Sequence, residues 1–556
     1  MRNRILGTTL LLGFAISLAA QARQENLLLL TDRAHYMSGE TISYRAFYQK
    51  PAESGDADWS RVLYVELIMP NGTPLAQGKV SLDSAKAVGT ISIPEGLSSG
   101  TYYMKAYTRW MRNYGPEALA YISVRIYDSF IESALPVDSS GWEPVPAAYL
   151  LNRAGVIPDQ TLNCQMERSV FQTREEVMVE LDLKEGEVPL DVTVSVTRAG
   201  LHGNQEYFGQ ASRSQKEGNS HFLPETRGLS LTGQAVGSSN GIPAPYATIY
   251  ITMLGAERDF FCNYSDSAGR FYFSFPAYTG SRDLFVSTYH PEHPGLELLI
   301  DRDFCQDVPQ LPSYAVPLND SLTKVITEMS VNTQIAQQYY PPKLAIEEQD
   351  TTGGLLFYGH PMARIDFNEF IKLPRLEEYF VEVIPQVAVR RSHGITRLVI
   401  LGEHPDLEIY PPLIMIDGVA ISDLEAVLAV SPRLIEGVEI VNAPYVRGNV
   451  TFGGIISLIS KNNDLGYIDL PSSGLLVNYQ MLDQTNDDLT ESGVKDPRLP
   501  DVRNTLYWNP ELELNPDMTQ RFAFFTSDQK GSYEILIRGC DSDGRFLEKR
   551  VPFSVE

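Results

Sequence analysis

The chain has 556 residues, of which 43% are hydrophobic and 21% charged, a composition typical of a folded globular protein rather than a disordered one. At about 150 residues per domain, this length predicts several domains. Asp and Glu total 70 against 45 Lys and Arg, so the formal net charge is −25. This acidic balance disfavours nucleic acid and anionic membrane surfaces as partners, because both attract clustered positive charge.

Residues 1–22 predict a signal peptide. Arg2 and Arg4 precede an apolar run from Ile5 to Ala20, and Ala20-Gln21-Ala22 has the small-x-small pattern of a cleavage site. A buried N-terminal helix or a membrane anchor is the alternative, but the run is shorter than the about 20 residues of a membrane span. We expect an exported mature chain, in the periplasm or associated with the outer membrane, without a transmembrane segment.

Residues 23–130 predict one antiparallel β-sandwich. Short runs of alternating polarity recur and are separated by Gly, Pro and Asn turns, as after Met69 in Pro70-Asn71-Gly72. The runs are Thr41–Phe47, Val62–Met69, Ala87–Ile93, Thr101–Tyr107 and Ala120–Ile126.

The rest of the chain predicts further β modules and one mixed α+β segment. We expect strands in 131–220, 221–305 and 491–556, with a polar linker from Gly203 to Arg227. A helical spacing of Leu322, Val325, Ile326 and Met329, capped by Asp320 or Ser321, predicts a helical linker within 306–372. Residues 373–490 mix a short helix with strands. The predicted fold class is mainly β, a chain of β-sandwich modules with one α+β domain.

Three segments carry resemblances to macroglobulin-like proteins. Thr31–Glu40 resembles the opening of a macroglobulin domain of the alpha-2-macroglobulin family, and Phe171–Val177 resembles a second copy of it. Gly100–Asn113 is similar to exported macroglobulin-like proteins of the Bacteroidetes. The resemblance implies macroglobulin-like sandwiches at 23–130 and 131–220. An unrelated sandwich with matching turns is the alternative.

Residues 221–305 resemble a carboxypeptidase regulatory-like domain. Leu231–Val236 matches its first strand, Pro243–Ile249 leads into the next, and Ser265–Arg270 forms a turn before Phe271. The resemblance implies a small sandwich without catalytic residues.

Residues 373–490 resemble the plug domain of TonB-dependent outer-membrane receptors. The resemblance lies in Pro412–Val419, Ile435–Val441 and Gly453–Lys461, in that order. An ordinary α+β domain with a common Asp-Gly turn is the alternative. The motif residues that the resemblance implies are Asp417, Gly418, Glu436, Glu439, Gly453 and Gly454.

We do not expect this chain to form a transmembrane barrel around the plug-like segment. A barrel of 16 strands with about 10 residues each needs more than roughly 160 residues, and residues 463–556 are fewer and lack that repeat. Within 491–556, Arg503–Pro510, Phe524–Asp528 and Gly531–Ile535 resemble the alpha-2-macroglobulin domain that precedes the thioester region. The Cys-Gly-Glu-Gln motif of the thioester is absent from the sequence, which argues against covalent trapping of proteases.

The four cysteines suit two interpretations. Export allows a disulfide between Cys262 and Cys305, and Cys164 and Cys540 can meet if their flanking domains pack together. Four buried free thiols are the alternative, because spacing alone does not establish connectivity.

No motif predicts catalysis, a cofactor or a metal. Gly237–Gly241 matches G-x-S-x-G, but Pro243 follows where a nucleophile elbow needs a helix, so a turn is favoured. His290 and His293 lack the helical H-E-x-x-H spacing. Asp266, before Gly269, belongs to a segment with too few carboxylates for calcium.

We therefore expect a non-enzymatic exported binding or scaffold protein whose partner is an envelope or outer-membrane protein. The alternative is a non-covalent, macroglobulin-like protease inhibitor. An enzyme with an unrecognised site is a third hypothesis.

Overall fold

The computed structural model describes most of the chain beyond the predicted signal peptide; residues 1–22 lie outside the described part. The described residues are 25–49, 59–83, 86–131, 133–151, 155–209, 222–255, 258–293, 295–307, 310–315, 319–340, 357–392, 394–468, 470, 473–484, 493–494, 496 and 498–556. The protein is mainly β. It divides into two compact units. The first unit consists of residues 1–229, 304–344 and 482–556, and the second consists of residues 230–303 and 345–481.

The strands and helices are numbered in chain order. Strands β1–β13 are Asn26–Thr31, His35–Met37, Thr41–Gln49, Val62–Ile68, Pro74–Ser81, Lys86–Ser92, Gly100–Tyr107, Ala120–Tyr127, Leu162–Met166, Val170–Phe171, Glu176–Leu183, Leu190–Arg198 and Tyr207–Phe208. Strands β14–β29 are Ser230–Gly237, Thr248–Met253, Asp259–Tyr264, Arg270–Ser274, Ser281–Tyr289, Leu296–Ile300, Ala363–Asp366, Val387–Ser392, Ile395–Ile400, Leu413–Ile416, Val419–Ala420, Ile435–Val441, Tyr445–Arg447, Val450–Phe452, Ile455–Ser460 and Leu475–Gln480. Strands β30–β33 are Thr505–Leu514, Gln520–Phe525, Gly531–Asp541 and Phe546–Val555. Helices α1–α5 are Ala147–Leu150, Asp320–Tyr339, Leu376–Glu382, Asp406–Ile409 and Leu424–Ala429.

The first unit begins with a sandwich built from β1–β8. A three-stranded sheet in the order β1-β3-β6 packs against a sheet in the order β13-β8-β7-β4-β5, and β2 runs parallel to β8. All residues of β1 and β4 are buried, whereas an isolated sandwich would expose every second residue. Both faces of these strands are therefore covered.

A second sandwich in the same unit draws its strands from two distant parts of the chain. Its five-stranded sheet has the order β10-β33-β32-β12-β30, and its three-stranded sheet has the order β31-β11-β9. Val177, Val194, Phe524 and Ile535 belong to its one hydrophobic core. The segments predicted as separate domains, 131–220 and 491–556, thus contribute strands to the same two sheets.

The two sandwiches have the same strand topology. Strands β1–β4 correspond to β9–β12, and β5–β8 correspond to β30–β33, in both sheet order and strand direction. The parallel pairing of β2 with β8 recurs as β10 with β33. The whole second unit is consequently inserted between the fourth and fifth strands of the second sandwich.

A tyrosine closes the corner before the seventh strand in each sandwich. Tyr102 donates its hydroxyl to the carbonyl of Ser98 at 2.6 Å, and Tyr533 donates to the carbonyl of Gln529 at 2.8 Å. Both rings are buried. Each contact spans four residues, the arrangement of a tyrosine corner in β-sandwiches.

Helix α2 also belongs to the first unit. Its N-cap is Asn319, one residue before the predicted caps, because the Asn319 side chain accepts a hydrogen bond from the backbone N of Leu322 at 2.8 Å. Val325 and Met329 are buried in a cluster with Met37. Among the described residues, this and the other helices are too short or too polar to cross a membrane.

The second unit begins with a small sandwich. Its sheets have the orders β17-β14-β19 and β16-β15-β18-β29. The outermost strand β29 comes from residues that the sequence assigns to the plug-like segment 373–490. This sandwich is thus completed by a strand from within that segment.

The plug-like region forms a mixed sheet in the order β20-β25-β28-β23-β24. β23 runs parallel to β28, and β25 runs antiparallel to it. The edge strand β20 lies in the predicted helical linker 306–372. Helices α3, α4 and α5 supply Phe380, Leu407 and Val427 to its core.

Candidate interaction sites

The Asp417–Gly418 turn joins β23 to β24 as a two-residue hairpin. Both residues have positive φ, 50° and 84°, which suits an Asp-Gly hairpin turn of type I′. The buried Asp417 carboxylate accepts hydrogen bonds from the backbone N of Ser460 at 2.7 Å, from Ser460 Oγ at 2.6 Å and from the backbone N of Leu465 at 2.8 Å. Asp417 therefore anchors the end of β28.

The two glycines before β28 lie where no side chain fits. A Cβ on Gly453 would be 2.2 Å from the carbonyl oxygen of Tyr410, and one on Gly454 would be 2.4 Å from that of Val441. Gly454 also has a φ of 86°. Both positions need glycine because backbone segments approach closely.

The two motif glutamates differ in their environment. Glu439 is 8% exposed and accepts a hydrogen bond from the Tyr358 hydroxyl at 2.8 Å, with Arg364 at 3.4 Å. Glu436, on the same strand β25, is half-buried. The structure therefore gives Asp417, Glu439 and the glycines roles in shaping the sheet, and the plug resemblance stays a prediction.

The plug-like sheet and the small sandwich of the second unit share side-chain contacts. Arg447 donates to the carbonyl of Phe260 at 2.5 Å and to the Asp259 carboxylate at 2.6 Å. Arg258 donates to the carbonyl of Asp417 at 3.0 Å. A common apolar cluster joins β16 to β23 and β28, so the predicted modules 221–305 and 373–490 are tied together.

The plug-like region exposes large apolar side chains at its turns. Ile409 at the end of α4 is 67% exposed, Val446 in the β26–β27 hairpin is 62% exposed, and Tyr467 is 74% exposed. Exposed aliphatic and aromatic side chains can enter a protein interface at low cost in desolvation. These residues carried no signal in the sequence, because single apolar residues occur in any turn.

The Thr31–Glu40 motif forms a buried polar network in the first sandwich. Glu40 pairs with Arg33 at 2.8 Å and accepts hydrogen bonds from the backbone N of Met37 at 2.7 Å and from Asn504 at 2.6 Å. Asp32 accepts from the Tyr36 hydroxyl at 2.7 Å. The network explains why acidic, basic and tyrosine side chains occur together in this motif.

The network also joins the two sandwiches of the first unit. Thr505 donates to the second carboxylate oxygen of Asp32 at 2.7 Å, and Ser195 donates to the Asp32 carbonyl at 2.6 Å. Arg45, which is fully buried in β3, donates to the carbonyls of Val192 and Pro510. Polar and charged groups of the first sandwich therefore bind directly to the second.

The second copy of the motif repeats the turn without the burial. Arg168 pairs with Glu175 at the same spacing as Arg33 with Glu40, and the backbone N of Gln172 donates to Glu175 at 2.6 Å. Phe171 takes the place of Tyr36. Arg168 is 53% exposed and Glu175 is 27% exposed.

Alternate residues of β7 bind backbone groups of a later part of the chain. Thr101 donates to the carbonyl of Tyr314 at 3.1 Å, the Tyr103 hydroxyl donates to Pro312, and Lys105 Nζ donates to Cys305. The backbone N of Cys305 donates to the Tyr107 hydroxyl at 2.7 Å. The hydrogen-bonding side chains at every second position of Gly100–Tyr107 therefore fix the backbone at Cys305, Pro312 and Tyr314. The sequence did not predict this role.

The other candidates from the sequence lie in turns and loops. Gly237–Gly241 closes a turn in which the backbone N of Gly237 donates to Ile242 at 2.8 Å. His290 and His293 stack with ring centroids 4.6 Å apart in a loop. Asp266 accepts from the backbone N of Ala268 and of Arg270, each at 2.8 Å. Within the described ranges, there is no group of three or more His, Cys, Asp or Glu side chains arranged to hold a metal.

All four cysteines are free thiols in this structure. Burial raises the pKa of the Cys164 thiol to about 11 and raises the pKa of Cys262 and Cys540 further. Such thiols are poor nucleophiles at neutral pH. Cys262 lies in the second unit and Cys305 in the first, and a disulfide between them stays a prediction.

Comparisons with known proteins give only distant structural matches. No family model and no curated protein matches the chain. Trypsin-activated alpha-2-macroglobulin from Escherichia coli matches with 10% identity and a TM-score of 0.23, covering 96% of this chain and 42% of that one. Methylamine-reacted alpha-2-macroglobulin from Salmonella matches with 9% identity and a TM-score of 0.24, covering 96% of this chain and 40% of that one. Latent PorU from Porphyromonas gingivalis matches with 8% identity and a TM-score of 0.16, covering 50% of this chain and 33% of that one. The chain thus spans less than half the length of these proteins.

Proposed function

We propose that the chain is an exported, non-enzymatic binding or scaffold protein of the cell envelope, in which the plug-like region contacts an envelope or outer-membrane protein. The observation that carries this proposal is the insertion of the second unit between β12 and β30. A domain inserted at a loop leaves the strand order of its host intact, so the host can support it without sharing its function. This arrangement suits a domain that is presented to a partner.

The side chains of the plug-like region support the same proposal. Asp417, Gly453 and Gly454 fix the backbone around β28, which gives the region a rigid framework. Ile409 and Val446 extend from this framework into solvent. Apolar side chains on rigid elements bind a partner with little loss of conformational entropy.

Site-specific photo-crosslinking in the cells that naturally produce the protein tests the proposal. We would place a photoreactive phenylalanine at Val446 or Ile409 in the full chain, with Met518 as the control position. Met518 is 59% exposed but belongs to the first unit. We expect a discrete covalent adduct with an envelope protein from Val446 or Ile409 and none from Met518. Equal adducts from all three positions, or none from the first two, would contradict the proposal.

The alternative of a non-covalent protease inhibitor predicts a different result. Incubation with broad-specificity proteases would then give limited cleavage of the chain and loss of protease activity in proportion to the protein added. Degradation of the chain with protease activity unchanged would remove this alternative.

A further inference from the structure

His202, in the loop after β12, lies in a buried polar cluster of the first unit. Its Nδ1 is 3.1 Å from Glu534 Oε1, and its Nε2 is 3.1 Å from Ser195 Oγ. A serine, a histidine and a carboxylate in this order also form the triad of hydrolases. Here His202 and Ser195 are each only 1% exposed, so no substrate reaches them. The contacts therefore bear on the protonation of His202 rather than on catalysis.

The Ser195 hydroxyl can only accept a hydrogen bond from His202. Its Oγ is 2.6 Å from the carbonyl oxygen of Asp32, and because a carbonyl has no proton to donate, the single hydroxyl proton lies in that bond. Thr197, whose Oγ1 is 3.4 Å from the same ring nitrogen, uses its proton on the Arg198 carbonyl at 3.1 Å. His202 Nε2 must therefore carry a proton of its own.

Glu534 requires a proton on the other ring nitrogen. Burial raises the pKa of this carboxyl, but the hydrogen bond and the charge of His202, the charge of Arg550 and the backbone N of Gly200, which donates at 3.3 Å, together lower it below its ordinary value. The group that faces Nδ1 is therefore a carboxylate, which can only accept a hydrogen bond. His202 then has protons on both ring nitrogens and is an imidazolium.

The surrounding charges oppose one another at His202. Burial and the cations Arg538 on β32 and Arg550 on β33 lower its pKa, whereas the hydrogen bond and the charge of Glu534 raise it. Strand β12 and the loop before β2 face the ring with hydroxyl and carbonyl oxygens. The hydrogen-bond directions decide, because either neutral tautomer places two lone pairs in contact, Nε2 against Ser195 or Nδ1 against Glu534. A buried acceptor that faces another acceptor is costly, so the cluster accommodates the imidazolium.

The loop at the centre of this cluster also supports helix α2. Leu201 is fully buried in a cluster with Val325 and Met329 of the helix. Arg198, where the loop begins, pairs with Glu328 of the helix. Movement of the loop would therefore remove contacts that hold α2 in place.

We propose that His202 holds a buried proton that fixes this loop to the second sandwich through Ser195 and Glu534, and that release of the proton to solvent at alkaline pH frees the loop and helix α2. A neutral ring turns one of the two hydrogen bonds into a repulsive contact. Because the folded chain binds this proton more tightly than the unfolded chain does, the stabilisation is complete below the ordinary histidine pKa of about 6.5 and is lost as the pH rises through the value in the folded chain. The device lies in the first unit and goes beyond the partner contact proposed for the plug-like region.

Nitrogen NMR of the full-length protein with isotope-labelled histidine measures this protonation directly. We expect both ring nitrogens of His202 to be protonated at pH 7, with the neutral form at least about tenfold less abundant. The signals that disappear in His202→Gln assign the resonances. At about pH 8 histidines with an ordinary pKa are neutral, so the wild-type spectrum alone decides if that variant does not fold. The proposal is overturned if no histidine is doubly protonated at that pH, or if the assigned His202 is neutral at pH 7.

Hydrogen exchange of the α2 backbone tests the consequence. Glu534→Gln removes the carboxylate that holds the proton and should speed exchange in α2, but not in β4, by about tenfold at pH 7 after correction for intrinsic rates. Glu548→Gln is the matched control, because Glu548 pairs with Arg550 at 3.0 Å and is not one of the groups around His202. It should leave α2 as protected as in the wild type.

The wild type should show the same selective change in α2 when the pH is raised until His202 is neutral, which keeps the test valid if a variant does not fold. Exchange in α2 that stays slow after His202 has lost its proton, or that is equally fast in Glu534→Gln and Glu548→Gln, overturns the proposal. Neither measurement depends on crosslinking at Val446, so the two proposals fail separately.

Discussion

The two sandwiches of the first unit share a topology and an Arg–Glu motif, but they use the motif differently. Arg33 and Glu40 have side chains only 5% and 13% exposed, and Asn504 from the second sandwich completes their network. Arg168 and Glu175 make the corresponding pair with side chains 53% and 27% exposed. In both, a backbone N–H three residues before the glutamate binds its carboxylate. The motif thus specifies a turn in both sandwiches. The burial of the Arg–Glu pair determines how much that pair contributes to stability.

The comparison also shows where such a sandwich accepts an insertion. The connection from fourth to fifth strand is a short hairpin between β4 and β5, yet its counterpart between β12 and β30 holds the second unit. In both cases the two strands still pair along their length, with one register shift in the first case and two in the second. A hairpin connection at the surface therefore tolerates an inserted domain, since the cost of loop closure rises only slowly with length.

The largest difference between the sandwiches is expected for the loss of one carboxylate. Glu40→Gln removes the nearer counter-charge of the buried Arg33 guanidinium and leaves only Asp32, at 3.9 Å, so it should lower the free energy of unfolding by about 3 kcal/mol. Glu175→Gln is the matched control and should cost about 0–1 kcal/mol, because its pair is solvent-screened. Urea denaturation of both variants measures this difference, and equal costs would contradict a role for burial.

The second largest difference between the sandwiches is expected in how their stability depends on pH. Burial, with the nearby charges of Arg125 and Arg33, lowers the pKa of His35 to about 4, whereas the corresponding residue Val170 cannot titrate. His35 therefore takes up a proton near pH 6.5 in the unfolded chain, but only near pH 4 in the folded chain. The contribution of His35 to the free energy of unfolding is fully present above pH 6.5. It should fall by about 3 kcal/mol as the pH drops to 4.

The His35→Gln variant isolates this contribution. Its unfolding free energy, measured by urea denaturation from pH 7 to pH 4, should fall less steeply than that of the wild type. Parallel curves for the two proteins would rule out His35 as the source.

Exchanging the aromatic residues of the two motifs should destabilise both sandwiches. Tyr36→Phe removes the hydroxyl that donates to Asp32 and should cost about 1–3 kcal/mol. Phe171→Tyr brings a hydroxyl into the apolar contact with Phe553 and should cost a similar amount. Thermal unfolding of the two variants measures these costs. A neutral exchange in either direction would show that the two environments are equivalent.

The smallest effect is expected where the sandwiches are most alike. Tyr102→Phe and Tyr533→Phe each remove the hydrogen bond of a tyrosine corner, and Tyr533→Phe also removes the longer contact of the hydroxyl with Ser527 Oγ at 3.2 Å. Each substitution should cost about 1 kcal/mol. The two costs should agree within about 0.5 kcal/mol. Urea denaturation tests this equality, and a clear inequality would mean that the corners are not equivalent.

Elements that depend on neighbouring residues follow from local sequence patterns. Alternating polarity located β3, β4, β6, β7 and β8, and the Asp417–Gly418 pair located a hairpin. The repeat of the Thr31–Glu40 motif at Phe171–Val177 was also visible. These features are local, because side-chain alternation and turn chemistry act within a few residues.

Strand pairing, in contrast, is established by long-range contacts in the folded chain. β12 pairs with β30 and β32, although the second unit separates them in sequence, and β29 completes a sheet that begins at β15 and β18. The same holds for the polar side chains of the first motif, since Asn504 and Thr505 reach Glu40 and Asp32 from the far end of the chain. A strand's alternation shows which face is buried but not which strand lies beside it, so long-range pairing, burial and the contact of His202 with Glu534 emerge only when the chain folds.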